Sequence, residues 1–299
     1  MSASFSRPQQ IKAFVEQHFH TCPIDLVPAS SDASFRSYWR AKIGTQTYIV
    51  MDAPPDKEPI ACWLDIARRL QIQGLSAPKV LAEDQVHGFV LMTDLGTTPY
   101  LSALNENSVD ALYTDAINAL HVMQKTVSVE SLPTYNEKRL IDEMELFPEW
   151  FLKRHLGLSI ACEEWDTIET TFRLLANSAL EQSQCFVHRD FHSRNLMKLP
   201  ANNPGIIDFQ DAVLGPITYD LVSLLRDCYI YWPYQRVYAW VSLFYDELTR
   251  TRGYSINRAD FQRQFDWMGL QRHLKVLGIF CRLYYRDGKG VYLNDLNRV

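Results

Sequence analysis

The sequence predicts an α+β chain in two lobes, a small β-rich one followed by a larger, mainly helical one. Up to about residue 93, short apolar runs separated by Gly and Pro breaks indicate strands around a single amphipathic helix. Beyond it, apolar residues recur at helical spacing, interrupted by two compact apolar runs that lead straight into charged residues.

The elements follow in order. An amphipathic helix is expected over residues 8–20, then Leu26-Val27-Pro28, a small polar stretch Ala29 to Ser34, and strand-like runs Phe35 to Ile43 and Gln46 to Met51. Gly44-Thr45 between those runs is a hairpin signal. After Pro54-Pro55, residues Ile60, Trp63, Leu64, Ala67 and Leu70 share one helical face and Gly74 stands where a cap belongs. Lys79 to Leu81 and Gly88 to Met92 flank the acidic turn Glu83-Asp84-Gln85, so the first ninety residues read β-β-α-β-β. Val109, Leu112, Ala116, Ile117, Leu120 and Met123 after Ser108 form a helix, with others expected over 138–154, 163–182, 217–231, 234–250 and 258–286. Cys185-Phe186-Val187 and Gly205-Ile206-Ile207 are the two interrupting runs.

A hydrophobic content of 47% over 299 residues supports a large core. With 30 Lys plus Arg against 35 Asp plus Glu, nothing draws the chain globally to nucleic acid or anionic membrane, and no obligate protein partner is indicated. The six cysteines, Cys22 among them, stand singly without a C-x-x-C pair, so reduced, mostly buried thiols are expected. The first residues show no basic patch followed by an apolar stretch, and no apolar run reaches membrane-spanning length, so the expected location is cytoplasmic.

Chemistry concentrates in His188-Arg189-Asp190-Phe191-His192-Ser193-Arg194-Asn195, an H-x-D followed by Asn, and in Asp208-Phe209 after the second apolar run. Phosphoryl transfer needs one carboxylate to orient a hydroxyl and take its proton, and an amide oxygen and a second carboxylate to hold magnesium on the phosphates. Asp190 fits the first task, Asn195 and Asp208 the second. Singly, each has a bland reading: His188 and Asp190 as a buried hydrogen-bonded pair, Asn195 as a turn cap, Asp208 as a strand end. Their order and spacing favour the chemical one.

These motifs resemble the aminoglycoside phosphotransferase and choline kinase superfamily, which has a protein-kinase-like fold. The likeness covers nearly the whole chain and includes the connecting segment Leu91-Met92-Thr93-Asp94-Leu95-Gly96. More narrowly, IIDFQDAVLGPITYDLVSLLRD and YIVMDAPP resemble the bacterial cell-wall-recycling kinases that phosphorylate N-acetylmuramate and N-acetylglucosamine at the anomeric carbon. The resemblance implies ATP and Mg2+ as cofactors, a nucleotide-binding lobe over 1–93 and a catalytic, acceptor-binding lobe over 94–299. It implies a phosphate-covering loop within Ser30 to Tyr38, with Ser31, Asp32, Ala33, Ser34, Phe35 and Arg36 as contacts, and adenine contacts from Met92, Thr93 and Leu95. Asp220 is expected to brace the catalytic loop, with His188 in a supporting part.

One departure stands out. Met51 occupies the neighbourhood where many relatives carry a phosphate-binding lysine, and the next helix offers only Asp65 in place of its glutamate partner. Arg36 or Arg40 are the expected substitutes. On the acceptor side, His192, Arg194, Arg226 and Arg272 are candidate contacts, and Arg272, Lys275, Arg282 and Arg286 share one helical face, either solvated or facing an anionic substrate. Trp232, Tyr234, Trp267, Tyr284 and Tyr285 either stack on sugars or fill the core. The alternatives are a kinase for a choline-like alcohol, homoserine or an aminoglycoside, and, in another class, an inactive nucleotide-binding regulator.

Overall fold

A computed structural model describes residues 6–21, 24–31 and 35–299. In chain order the elements are α1 (Arg7–Phe19), β1 (Asp25–Ser31), β2 (Ser37–Ile43), β3 (Gln46–Asp52), α2 (Ala61–Ile72), β4 (Val80–Asp84) and β5 (Phe89–Thr93). There follow α3 (Tyr100–Ala103), α4 (Val109–Thr126), α5 (Glu137–Met144), a π-helix (Phe147–His155) and α6 (Cys162–Leu180). Then come β6 (Gln184–Val187), β7 (Leu196–Met197), β8 (Gly205–Ile206), β9 (Val213–Pro216), α7 (Tyr219–Leu225), α8 (Tyr234–Arg252), α9 (Arg258–Tyr285) and a closing 3-10 segment, Gly290–Arg298. The chain forms two compact units: Met1–Thr97 with Met197–Gln210, and Thr98–Leu196 with Asp211–Val299.

The first unit is a five-stranded antiparallel sheet in the order β1-β2-β3-β5-β4. Strand alternation puts Ala41, Val50, Phe89 and Leu91 on one face, where Ile11 and Val15, one turn apart on α1, cover them. Full burial of those two α1 side chains contributes about 1.5–3 kcal/mol each. The strand β1 was not expected. It lies at the edge of the sheet, where Pro28 forfeits no interior ladder bond, and its pairing with β2 shifts register between Pro28 and Ser30. The expected turn at Glu83-Asp84-Gln85 begins only after β4 has run through Asp84.

In the second unit α5, α6 and α9 meet around Met144, Phe172, Leu175 and Leu274. The 3-10 segment docks Tyr292 and Leu296 against Cys228, Val276 and Phe280. Asn136 caps α5 by accepting from Arg139 N–H, and Asn257 caps α9 from Asp260 N–H, each cap contributing about 1 kcal/mol. Helices expected over 138–154 and 217–231 are corrected: the first breaks after Met144 into the π-helix carrying Pro148, and the second ends at Leu225. Asp227 ends it by turning its carboxylate onto the N–H groups of Ser193 and Tyr229. The described cysteines are free; Cys185, Cys228 and Cys281 are buried, Cys62 and Cys162 exposed, and Cys22 lies outside the described residues.

Candidate active site

Strand β6 pairs with β9 from Gln184↔Pro216 to Val187↔Val213 and delivers the chain into the loop at His188. Arg189 there adopts a φ of 78°, a left-handed conformation that costs a non-glycine residue energy unless its surroundings hold it. Asp220, buried in the first turn of α7, supplies that hold: the N–H groups of His188 and Arg189 donate to its two oxygens at 2.7 and 3.0 Å. On the other side of the loop, Ser193 donates through N–H at 2.9 Å and through its hydroxyl to Asp227, while Ser193 carbonyl accepts from Leu101 N–H. Between these anchors Asp190 N–H donates to His188 Nδ1, and the Asn195 side-chain amide donates to Asp190 carbonyl at 3.1 Å.

Asp190 is pinned by its backbone, yet its side chain remains 40% exposed. Burial pushes its carboxyl up, but Lys275, Arg272, His192 and Arg189 outweigh that and hold it at about 2. It is therefore ionised throughout the physiological range. Burial lifts Asp220 to about 7 against its two N–H donors and Arg272, with the charge of Asp190 adding to the rise. Burial also lowers His192, which keeps the imidazole neutral at neutral pH, and its Nδ1 has no hydrogen-bond partner among the described residues.

Behind the loop lies a buried ionic cluster. Arg272 Nη1 donates to Arg189 carbonyl at 3.0 Å and to the Tyr219 hydroxyl at 3.2 Å, and its Nη2 lies 3.8 Å from Asp190 Oδ1. Glu143 binds Arg189 at 2.6 Å and Lys275 at 3.0 Å and accepts from the Tyr135 hydroxyl. The expectation of a solvated basic face on α9 is thus corrected for its first half: Arg272 and Lys275 are buried, whereas Arg286 is exposed. Arg226 binds Asp266 and Tyr238, over the ring of Phe265. Of the aromatics, Trp232 is buried with its Nε1 on the Tyr113 hydroxyl, while Tyr234, Trp267, Tyr284 and Tyr285 are exposed.

In the first unit, Asp208 follows β8 with a φ of 64°, accepts from Gln210 Nε2 at 3.0 Å, and precedes Phe209, whose ring packs 5.1 Å from Trp63 on α2. Met92 is buried in β5, and Thr93 exchanges bonds with Lys79. Leu95, Met197 and Leu199 crowd Gly205, where a Cβ would lie 3.1 Å from the first two. Asp32, Ala33 and Ser34 lie outside the described residues; Ser31 ends β1, and Phe35 is exposed beneath Lys57 Nζ. Arg40 is not left for a phosphate: it is bidentate to Asp94 and also binds Gly96 carbonyl, clamping the connecting segment to β2. Arg36 pairs with Glu58 at 2.9 Å, so a cation–carboxylate pair does exist, its acid ahead of α2 rather than within it. Met51 is fully buried.

Residues 25–254 match the model of a phosphotransferase enzyme family. The chain belongs to that family. This phosphotransferase is 44% identical over 278 residues to the N-acetylmuramate/N-acetylglucosamine kinase of Pseudomonas aeruginosa, an alignment covering 92% of this chain and 82% of the relative. It is 41% identical to the kinase of the same name from Neisseria meningitidis serogroup B, covering 98% and 88%, and 32% identical to that of Caulobacter vibrioides, covering 90% and 84%. Among solved structures, an ADP-bound aminoglycoside phosphotransferase superposes with a TM-score of 0.65 at 19% identity, covering 99% of this chain and 96% of that one. The choline kinase of Streptococcus pneumoniae gives 0.66 at 13% identity, covering 97% and 96%. The two-lobed kinase-like fold and the family resemblance read from the sequence are borne out.

Sequence reasoning missed the residues that support the phosphotransferase loop from a distance: Glu143, Tyr135 and Asp227. A trace of Asp227 is visible, since it follows Asp220 by seven residues on what reads as one helix. Glu143 sits in an ordinary charged helix and carries no such mark. Among the described residues no helix is long and apolar enough to cross a membrane.

Proposed function

We propose that this phosphotransferase moves the γ-phosphate of ATP to the anomeric C1 hydroxyl of N-acetylmuramate, N-acetylglucosamine or both, as a cytoplasmic step of cell-wall recycling. The observation that carries the reading is Asp190, an ionised and accessible carboxylate on a loop fixed from both sides. The kinases at 41–44% identity support the choice of acceptor.

Asp190 orients the acceptor hydroxyl and takes its proton. A hemiacetal hydroxyl is more acidic than an ordinary alcohol, so a weakly basic carboxylate serves if proton transfer comes late. Asn195 and Asp208 would hold magnesium. Their donor types suit a hard cation: Asn195, whose amide N–H donates to Asp190 carbonyl, carries an amide oxygen, and Asp208 adds a carboxylate. Bound there, magnesium would neutralise phosphate charge during transfer.

The nucleotide's contacts in this reading are the segment Ser31 to Arg36 for the phosphates and Met92, Thr93 and Leu95 for adenine. The apolar patch of Leu95, Met197 and Leu199 around Gly205 supports the second assignment. Arg36, fixed by Glu58, is the cation in the lysine's stead.

The test is a phosphorus NMR assay of the protein with ATP, magnesium and a panel of N-acetylmuramate, N-acetylglucosamine, glucosamine, choline, homoserine and an aminoglycoside. A new anomeric phosphate resonance with the N-acetyl sugars is expected. Phosphate on another acceptor alone would remove the sugar assignment, and ATP binding without transfer to any of them would favour a regulator.

A further inference from the structure

N-Acetylmuramate differs from N-acetylglucosamine by a lactyl ether on O3, which adds one carboxylate. A phosphotransferase that takes both sugars, the reading on which this inference rests, needs a cation able to meet that group without being required by the sugar that lacks it. Four candidates surround the catalytic loop. Three are unsuited: Arg226 is tied to Asp266 and Tyr238; Arg272 is buried, with Arg189 carbonyl and the Tyr219 hydroxyl as its partners; and His192 is buried, which disfavours its charged form, with its ring edge-on to Tyr229.

Arg194 differs from all three. It lies in the same loop, four residues after Asp190, with its side chain 37% exposed. Its guanidinium carbon sits 3.6 Å from the ring centroid of Tyr229 and 5.9 Å from that of Tyr292, so the planar fork rests on an aromatic shelf. Stacking fixes the plane while leaving the N–H edges for hydrogen bonds. Its acidic neighbour, Asp295 of the closing 3-10 segment, stands at 3.7 Å, beyond hydrogen-bond length, and that carboxylate is already bound by Arg298. The fork is thus pre-oriented and weakly paired, the state in which a bidentate carboxylate adds most.

We propose that Arg194 receives the lactyl carboxylate of N-acetylmuramate and sets the preference between the two sugars. The test compares kcat/KM for N-acetylmuramate and N-acetylglucosamine in wild type, Arg194→Gln, Arg194→Lys and Asp295→Asn, with C1 phosphate followed by phosphorus NMR. Arg194→Gln should lower the N-acetylmuramate to N-acetylglucosamine ratio about 10- to 100-fold, mainly through KM, as loss of a charge-assisted pair implies. Arg194→Lys should recover part of the ratio, since charge returns without the fork. Asp295→Asn, which removes the competing acid, should raise the ratio about 2- to 5-fold. Equal losses for both sugars in Arg194→Gln, or an unmoved ratio in Asp295→Asn, would overturn the assignment and make Arg194 a loop brace. Wild-type protein that phosphorylates neither sugar would overturn the sugar-kinase reading itself, and this inference with it.

Discussion

Replacing Glu143 by Gln should unsettle the second unit more than any exposed charge change, because the carboxylate is the shared anion of a buried cluster. Its oxygens face Arg189 at 2.6 Å and Lys275 at 3.0 Å, with side-chain exposures of 15%, 20% and 8% for the acid and the two bases. Glutamine keeps the shape and one acceptor but leaves two buried cations opposite a neutral amide. Breaking a buried pair costs about 3–5 kcal/mol, and the surviving bond of Lys275 to the Tyr219 hydroxyl reduces this to about 2–4 kcal/mol. At about 2–4 °C per kcal/mol for a unit of this size, the melting temperature should fall by roughly 4–16 °C. The pH dependence adds a second reading. Burial raises the Glu143 carboxyl, but Lys275, Arg189 and the Tyr135 hydroxyl more than reverse that and leave it below its ordinary 4.5. A depressed acid contributes stability that is fully present above 4.5 and is lost as pH falls through the lower folded value. The gap between wild type and Glu143→Gln should therefore be full at pH 7 and narrow below pH 4.5. Calorimetric melts across that range provide the assay. Equal melting temperatures at pH 7, or a gap that ignores pH, would refute the electrostatic account.

Asp190→Asn should lower phosphate transfer about 10²- to 10⁴-fold while ATP affinity stays within a few-fold, measured by coupled assay and calorimetric titration; unchanged turnover contradicts the base assignment. Asp208→Ala should weaken nucleotide binding in the presence of magnesium and flatten its dependence on magnesium concentration. Gly278→Ala should destabilise by about 1–3 kcal/mol in denaturant unfolding, because α9 passes so close to the start of the π-helix that a Cβ would lie 2.4 Å from Leu146 carbonyl carbon.

What the sequence disclosed was what is local in it. The alternation of β2 and β3, the apolar face of α2 and the run from His188 to Asn195 each lie within a dozen residues and could be read directly. The strand β1 was hidden by Pro28, which argues against a strand everywhere except at an edge, and edges are decided by the whole sheet. Arg272 and Lys275 read as surface charges because their partners are far away in sequence. Glu143 lies 46 residues from Arg189, and Asp227 lies 34 residues from Ser193. The same distance ended α7 early: Asp227 has a tertiary use that helical spacing does not encode.

The segment Met197–Gln210 counts with the first unit although the chain around it builds the second. Ser76 receives the N–H of Ile206, and Trp63 receives the ring of Phe209, so the sheet-bearing unit lacks part of its own packing until that segment arrives. On the ribosome this reverses the usual order, in which an amino-terminal domain closes while the rest is still being made. Here the first unit must wait for roughly a hundred further residues, by which point about half of the second has already emerged. A fragment cut at Thr97 would carry all five strands of the sheet and still be unfinished.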